Sequence, residues 1–344
     1  MAMNIAPSLP RALAPRPVHK KLSSHAHGRT MGTEWAVTVV PELPIEQEYL
    51  LRRAIQACLD DLCDQMSHWQ SDSLISRINQ AETGWYALPD DFFQVLYVGL
   101  ELAKATQGAY DPTLGELSNL WGFGPEHAHS LPPAAELCSV AVMRSGWQRT
   151  ELSTTHQAVW QPGGLQFDLS SIAKGYAVDK IAKLLDSQAI EHYLIEIGGE
   201  VKAKGCNASE QAWRVHIELP QKNVLASANN AQPQCFPATV SNHAMATSGN
   251  YRREYSRNGA QYCHTLDPTT GQPVHHALRS VTVIHERCVM ADALATALLV
   301  MGPQAAMRYA LAHDIAALFM QEQDTGGQID WTPRFQELAT LVEP

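Results

Sequence analysis

The chain has 344 residues, 45% hydrophobic and 17% charged, a balance that fits a folded globular protein and excludes a disordered one. A net charge of −10 with no basic stripe excludes nucleic acid as a partner. No apolar run reaches the ~20 residues of a membrane-spanning helix, and the length suits two average domains or one large one.

Residues 1–30, interrupted by Pro7, Pro10, Pro15 and Pro17, read as a flexible tail. They hold no continuous apolar core of an export signal, so the chain as written is expected in the cytoplasm. A strand follows at 34–40, where Trp35, Val37 and Val39 alternate with smaller or polar residues. Leu51, Ile55, Cys58, Leu62 and Met66 then line one face of a helix. A second helix is predicted over 92–106, stopped by Gly108. Residues 108–125, rich in Gly, Pro and Trp, are too irregular for either regular element.

A helix from about residue 172 turns Ala177, Ile181, Leu184 and Leu185 inward, and short strands fit 192–197, 213–219 and 279–285. Between them, the polar stretch 222–239, with Pro233 and Pro237, reads as a loop insertion. A helix over 289–301 ends at Gly302, and Pro303 starts another. With no βαβ rhythm, repeat or flexible linker, the expectation is an α+β fold of mixed or antiparallel sheets packed with helices, one domain over 31–344.

The seven cysteines are scattered and read as reduced, partly buried thiols. The pairs His25/His27, His127/His129 and His275/His276 lack a third ligand at useful spacing and read as solvated.

Three stretches carry candidate chemistry. In the first, 291–297, Asp292 and Thr296 stand four residues apart on one helix face. A carboxylate with a hydroxyl suits a hard cation such as magnesium, and the Ala295 carbonyl could add an oxygen if the helix is irregular or near its end. Taken alone, the pair fits an exposed Asp and a packed Thr on an ordinary apolar helix better. In the second, 167–176, a strand end leads into a helix with Ser170 and Ser171 as possible N-caps, Asp168 before them and Lys174 in the first turn. That arrangement reads equally as an anion site or as an ordinary capped helix. In the third, Ser248-Gly249-Asn250-Tyr251-Arg252-Arg253 is followed by 262–271, where His264 precedes a turn and could act as a base or nucleophile, or bond the turn backbone. Asp111 sits beside the aromatic Tyr110 in a Gly-Ala-Tyr-Asp-Pro-Thr stretch.

In order along the chain, these segments resemble the ApbE family of FAD:protein FMN transferases. The matching blocks are Met31-Gly32-Thr33; Met66-Ser67-His68-Trp69 with Asp72-Ser73 and Ser76-Arg77-Ile78-Asn79; residues 108–113 and 120–125; residues 168–175; Ile197-Gly198-Gly199-Glu200; Ala246-Thr247-Ser248-Gly249; His264-Thr265-Leu266-Asp267-Pro268; and the Asp292/Thr296 helix. They run from about residue 31 to 302. The resemblance implies a core related to the T-fold and transfer of FMN from FAD, with release of AMP, to a Ser or Thr of an acceptor protein. The acceptor would be of the kind found in electron-transfer membrane complexes or reductases. It further implies FAD contacts at Met31, Trp69, Ala109, Tyr110, Asp111, Asp168, Lys174 and Leu266. Magnesium would be held by Ser171, Asp292, Ala295 and Thr296, and His264 would stand at the reaction centre. An FAD pyrophosphatase and a non-catalytic flavin-binding protein are the alternatives. Two departures stand out: Ser170-Ser171 occupies a place where many relatives carry glycine, and many relatives are exported, which would make the compartment periplasmic.

Overall fold

A computed structural model describes residues 21–126, 131–218, 235–323 and 326–341. Eight strands form its main sheet: β1 (Ser24–Thr30), β2 (Thr33–Val40), β3 (His192–Ile197), β4 (Glu200–Lys204), β5 (Ala244–Gly249), β6 (Leu278–His285), β7 (Ala316–Gln323) and β8 (Gly326–Trp331). They lie side by side in chain order and every neighbour pair is antiparallel. The fold is therefore α+β, as expected.

The helices are α1 (Ile45–Met66), α2 (Leu74–Asn79), α3 (Asp90–Ala105), α4 (Gly115–Leu120), α5 (Ala135–Arg144), α6 (Ala173–Ser187), α7 (Cys288–Met301), α8 (Pro303–Ala312) and α9 (Pro333–Leu338). Both faces of the sheet are covered. Val37, Val39, Ile195, Ile197, Ala246, Val281, Val283 and Phe319 point into a core shared with α1, α3, α6 and α7. Their alternates Val40, Val201, Met245, Ile284, Leu318 and Met320 pack against Trp213, Val215, Ile217 and Phe335, from a three-stranded sheet and α9. Burial on both faces explains why β7 runs through Ala316, Ala317, Leu318, Phe319 and Met320 without polar alternation.

Several boundaries differ from the sequence reading. The expected tail ends before residue 30, because Ser24–Thr30 pairs along its whole length with β2. Its inward residues Ser24, Ala26 and Thr30 are buried but small, so no hydrophobic signature marks the strand. Residues 1–20 lie outside the described residues, as do His127 and His129. Gly115–Leu120 is helical within the stretch expected to be irregular; at six residues it is too short for its buried Leu117 to repeat. Most of the expected insertion, 222–234, lies outside the described residues, but Cys235–Val240 is a strand paired with Trp213–Glu218.

Candidate active site

The turn before β2, the turn after β3, the end of β5 and the start of α6 converge at one end of the sheet. They open into a cavity of about 900 Å³. Of the thirteen residues singled out above, twelve line it: Met31, Trp69, Ala109, Tyr110, Asp111, Asp168, Ser171, Lys174, His264, Leu266, Asp292 and Thr296. Ala295 does not. It is fully buried, and α7 runs on to Met301, so its carbonyl sits mid-helix rather than at an irregular or terminal position.

The inner wall is made by α6 lying against α7. Gly175 permits the approach, since a Cβ there would meet the Cys288 carbonyl oxygen at 2.5 Å and the Asp292 Cβ at 2.7 Å. This closeness lets the Gly175 N–H donate to Asp292 Oδ2 at 2.9 Å. Asp292 is 3% exposed, not solvated as the plainer reading of its helix held. Burial raises its pKa, with Lys174 and the Gly175 N–H opposing. The Thr296 hydroxyl is 2.8 Å from that of Ser248 on β5.

Glu200, 2% exposed, forms an ion pair with Lys174. Burial drives the Glu200 pKa up, against the pull of Lys174. Burial would likewise lower the Lys174 pKa, but Glu200 and Asp292 outweigh it and raise it. Glu200 follows a two-glycine turn, Gly198 (φ 62°) and Gly199 (φ 102°), whose positive φ values close the β3–β4 hairpin and set the carboxylate at its start. Its Oε2 is buried without a hydrogen-bond partner.

The lateral wall is made of two Asx turns. Asp168 Oδ1 accepts from the Ser170 N–H at 3.0 Å and the Ser170 hydroxyl at 2.6 Å, while Oδ2 accepts from Ser118 at 2.9 Å. His68 stands 3.6 Å away. Burial would raise the Asp168 pKa, but His68 and these donors hold it below the ordinary carboxylate value. Ser170 therefore serves Asp168 rather than capping α6, whose N-cap Ile172 offers no side-chain bond. Asp111 accepts from the Thr113 N–H, the Thr113 hydroxyl and the Trp147 N–H. Its carboxylate is thus committed to the turn, leaving the 109–111 backbone to face a ligand. Tyr110 is buried, and the Ser171 hydroxyl donates to its oxygen at 3.4 Å.

The outer wall carries His264, Arg253 and Trp69. The Arg253 carbonyl accepts from the His264 backbone N–H at 3.0 Å and lies 3.2 Å from Nδ1. A carbonyl only accepts, so Nδ1 carries the proton and Nε2 keeps its lone pair. Phe123 meets the ring edge-on at 6.2 Å. Burial, reinforced by Arg253 and Lys174, lowers the His264 pKa to about 4, which keeps the imidazole neutral at pH 7. Sequence reasoning did not single out Glu200, His68 or Ser118, and it placed Ser248 and Arg253 in a candidate stretch without giving either a role. Glu200 and His68 lay inside the matched blocks, which was the only signal for them.

The inner wall fits a hard divalent cation. Asp292 Oδ1 and Glu200 Oε2 have no protein donor among the described residues, and Thr296 adds a hydroxyl. Among the described residues no three His, Cys, Asp or Glu side chains form a ready cage, so the remaining oxygens would come from phosphate and water. No described helix is long and apolar enough to cross a membrane.

Residues 31–319 match the ApbE family. The FAD:protein FMN transferase of Vibrio cholerae serotype O1 is 36% identical over 303 residues, 88% of this chain and 88% of that protein. Its counterpart in Escherichia coli K12 is 30% identical over 328 residues, 94% and 91% of the two chains. The structure of the flavin transferase ApbE from Vibrio cholerae aligns with a TM-score of 0.82 at 34% identity, covering 92% of this chain and 99% of that one. The apo flavinyl transferase ApbE of Pseudomonas stutzeri aligns at 0.83 and 33% identity, covering 94% and 98%. With the family match spanning most of its length, the chain belongs to the ApbE family.

Proposed function

We propose that the protein is a magnesium-dependent FAD:protein FMN transferase that joins FMN through a phosphoester to a Ser or Thr hydroxyl of an acceptor protein. The observation that supports this most is one cavity with oxygen donors on its inner wall and a neutral histidine opposite. Asp292 and Thr296, with the open Oε2 of Glu200 and Ser171 from the turn before α6, would hold the cation, which supplies charge neutralisation and orientation to the diphosphate of FAD.

Lys174 stays charged between Glu200 and Asp292, balancing two carboxylates that would otherwise repel the diphosphate. The acceptor hydroxyl attacks the FMN-side phosphorus; a new P–O bond forms, the bond to the bridging oxygen breaks, and AMP leaves with that oxygen. His264 Nε2 takes the hydroxyl proton, and the bound diphosphate raises its basicity by opposing Arg253 and Lys174. The same lone pair would serve if His264 attacked phosphorus first; a chiral phosphorus then ends retained rather than inverted.

Incubation with FAD, magnesium and candidate acceptors should give covalent flavin on the acceptor with equal AMP. Neither product with any acceptor would defeat the reading, and rapid FMN and AMP formation without acceptor would replace it with pyrophosphatase activity.

A further inference from the structure

The cations of the cavity differ in what already neutralises them. Lys174 is paired with Glu200, Arg252 with Glu218 at 3.0 Å, and His68 stands by Asp168. Arg253 has no carboxylate partner among the described residues. Its guanidinium lies over the Trp69 ring instead, 5.3 Å from the centroid. Trp69 follows α1 and Arg253 follows β5, so the stack joins two separate segments of the outer wall. The Arg253 backbone is fixed by its two contacts with His264, which leaves the guanidinium to move on an anchored base.

We propose that Arg253 is the diphosphate-binding arginine of this cavity: held over Trp69 in the free protein, it transfers to the phosphate oxygens of FAD on binding. A planar fork matches two phosphate oxygens in a way an ammonium does not. A cation over a ring 51% exposed is held weakly, so exchanging the ring for a charged partner is favourable. A diphosphate entering past Asp168, Glu200 and Asp292 needs a cation that no carboxylate has claimed, and Arg253 supplies it beside His264. This inference rests on the flavin-transferase reading.

The test is titration of FAD and of riboflavin, which lacks phosphate, against the full-length protein and its R253Q and R253K variants. Arg253 is exposed, so thermal midpoints should be unchanged. R253Q should bind FAD about ten- to a hundredfold more weakly, with riboflavin unaffected and R253K in between. The salt dependence of FAD affinity should also flatten in R253Q, a readout that does not need measurable riboflavin binding. Equal weakening of both ligands, or an unchanged FAD affinity and salt slope, overturns the proposal. A wild-type protein that binds no FAD overturns the transferase reading with it, whereas FAD binding equal in wild type and R253Q overturns this inference alone.

Discussion

The inner and outer walls of the cavity are built differently. On the inner wall, Asp292, Glu200 and Thr296 stand on α7 and β4, packed so closely that a methyl group at Gly175 has no room. On the outer wall, Trp69 and Arg253 stand on turns, and His264 follows the last strand of a two-stranded hairpin, Glu254–Arg257 with Ala260–Cys263. Rigid elements hold the charge that must be placed accurately and kept from water. Turns carry the groups that must meet two partners, FAD and a protein side chain. Loss of charge on the inner wall should therefore abolish chemistry, and added bulk there should cost stability. Changes on the outer wall should cost function alone.

The largest expected effect is D292N. AMP release should fall at least about a thousandfold, while the thermal midpoint holds, because the amide oxygen still accepts from Gly175 and burial disfavours the charge that is lost. H264A should lower transfer by about a hundred- to ten-thousandfold, with FAD binding retained in the same titration.

Stability sharpens the contrast. G175A should lose about 1–3 kcal/mol in urea unfolding, from contacts with the Cys288 carbonyl and Asp292. W69L on the outer wall should stay within about 0.5 kcal/mol of wild type. The smallest effect concerns pH. Folding holds the His264 pKa near 4 against an ordinary 6.5, so the unfolded chain binds the proton first and stability falls as pH drops from 6.5 toward 4. H264Q should make that decline shallower, measured as urea midpoints at pH 5 and pH 7.

The same division governs what could be read from sequence. One-sided helices such as α1, and β2 with its alternating Trp35, Val37 and Val39, are visible because one face meets water and the other does not. α7 is buried almost all round, so its length and the Gly302-Pro303 stop marked it rather than periodicity. β1 and β5 consist mainly of small or polar residues and become strands through their partners, which no local pattern encodes. Asp292 and Thr296 could be paired because helical spacing puts them on one face. Glu200 could not, since its meaning comes from Lys174, 26 residues away on α6. Arg253 stood in a candidate stretch, but what it faces comes from Trp69, far away in sequence and found beneath it only in the fold. Order along the chain identified the family; distances across the cavity gave the residues their roles.

The central claim, that the inner wall acts on the diphosphate through a bound cation, is tested most directly by titrating magnesium into metal-stripped protein at saturating FAD and following AMP release. The account predicts no release without magnesium, saturation as it is added, and a far higher requirement in D292N. Release that is independent of magnesium, or an identical magnesium requirement in wild type and D292N, would contradict it.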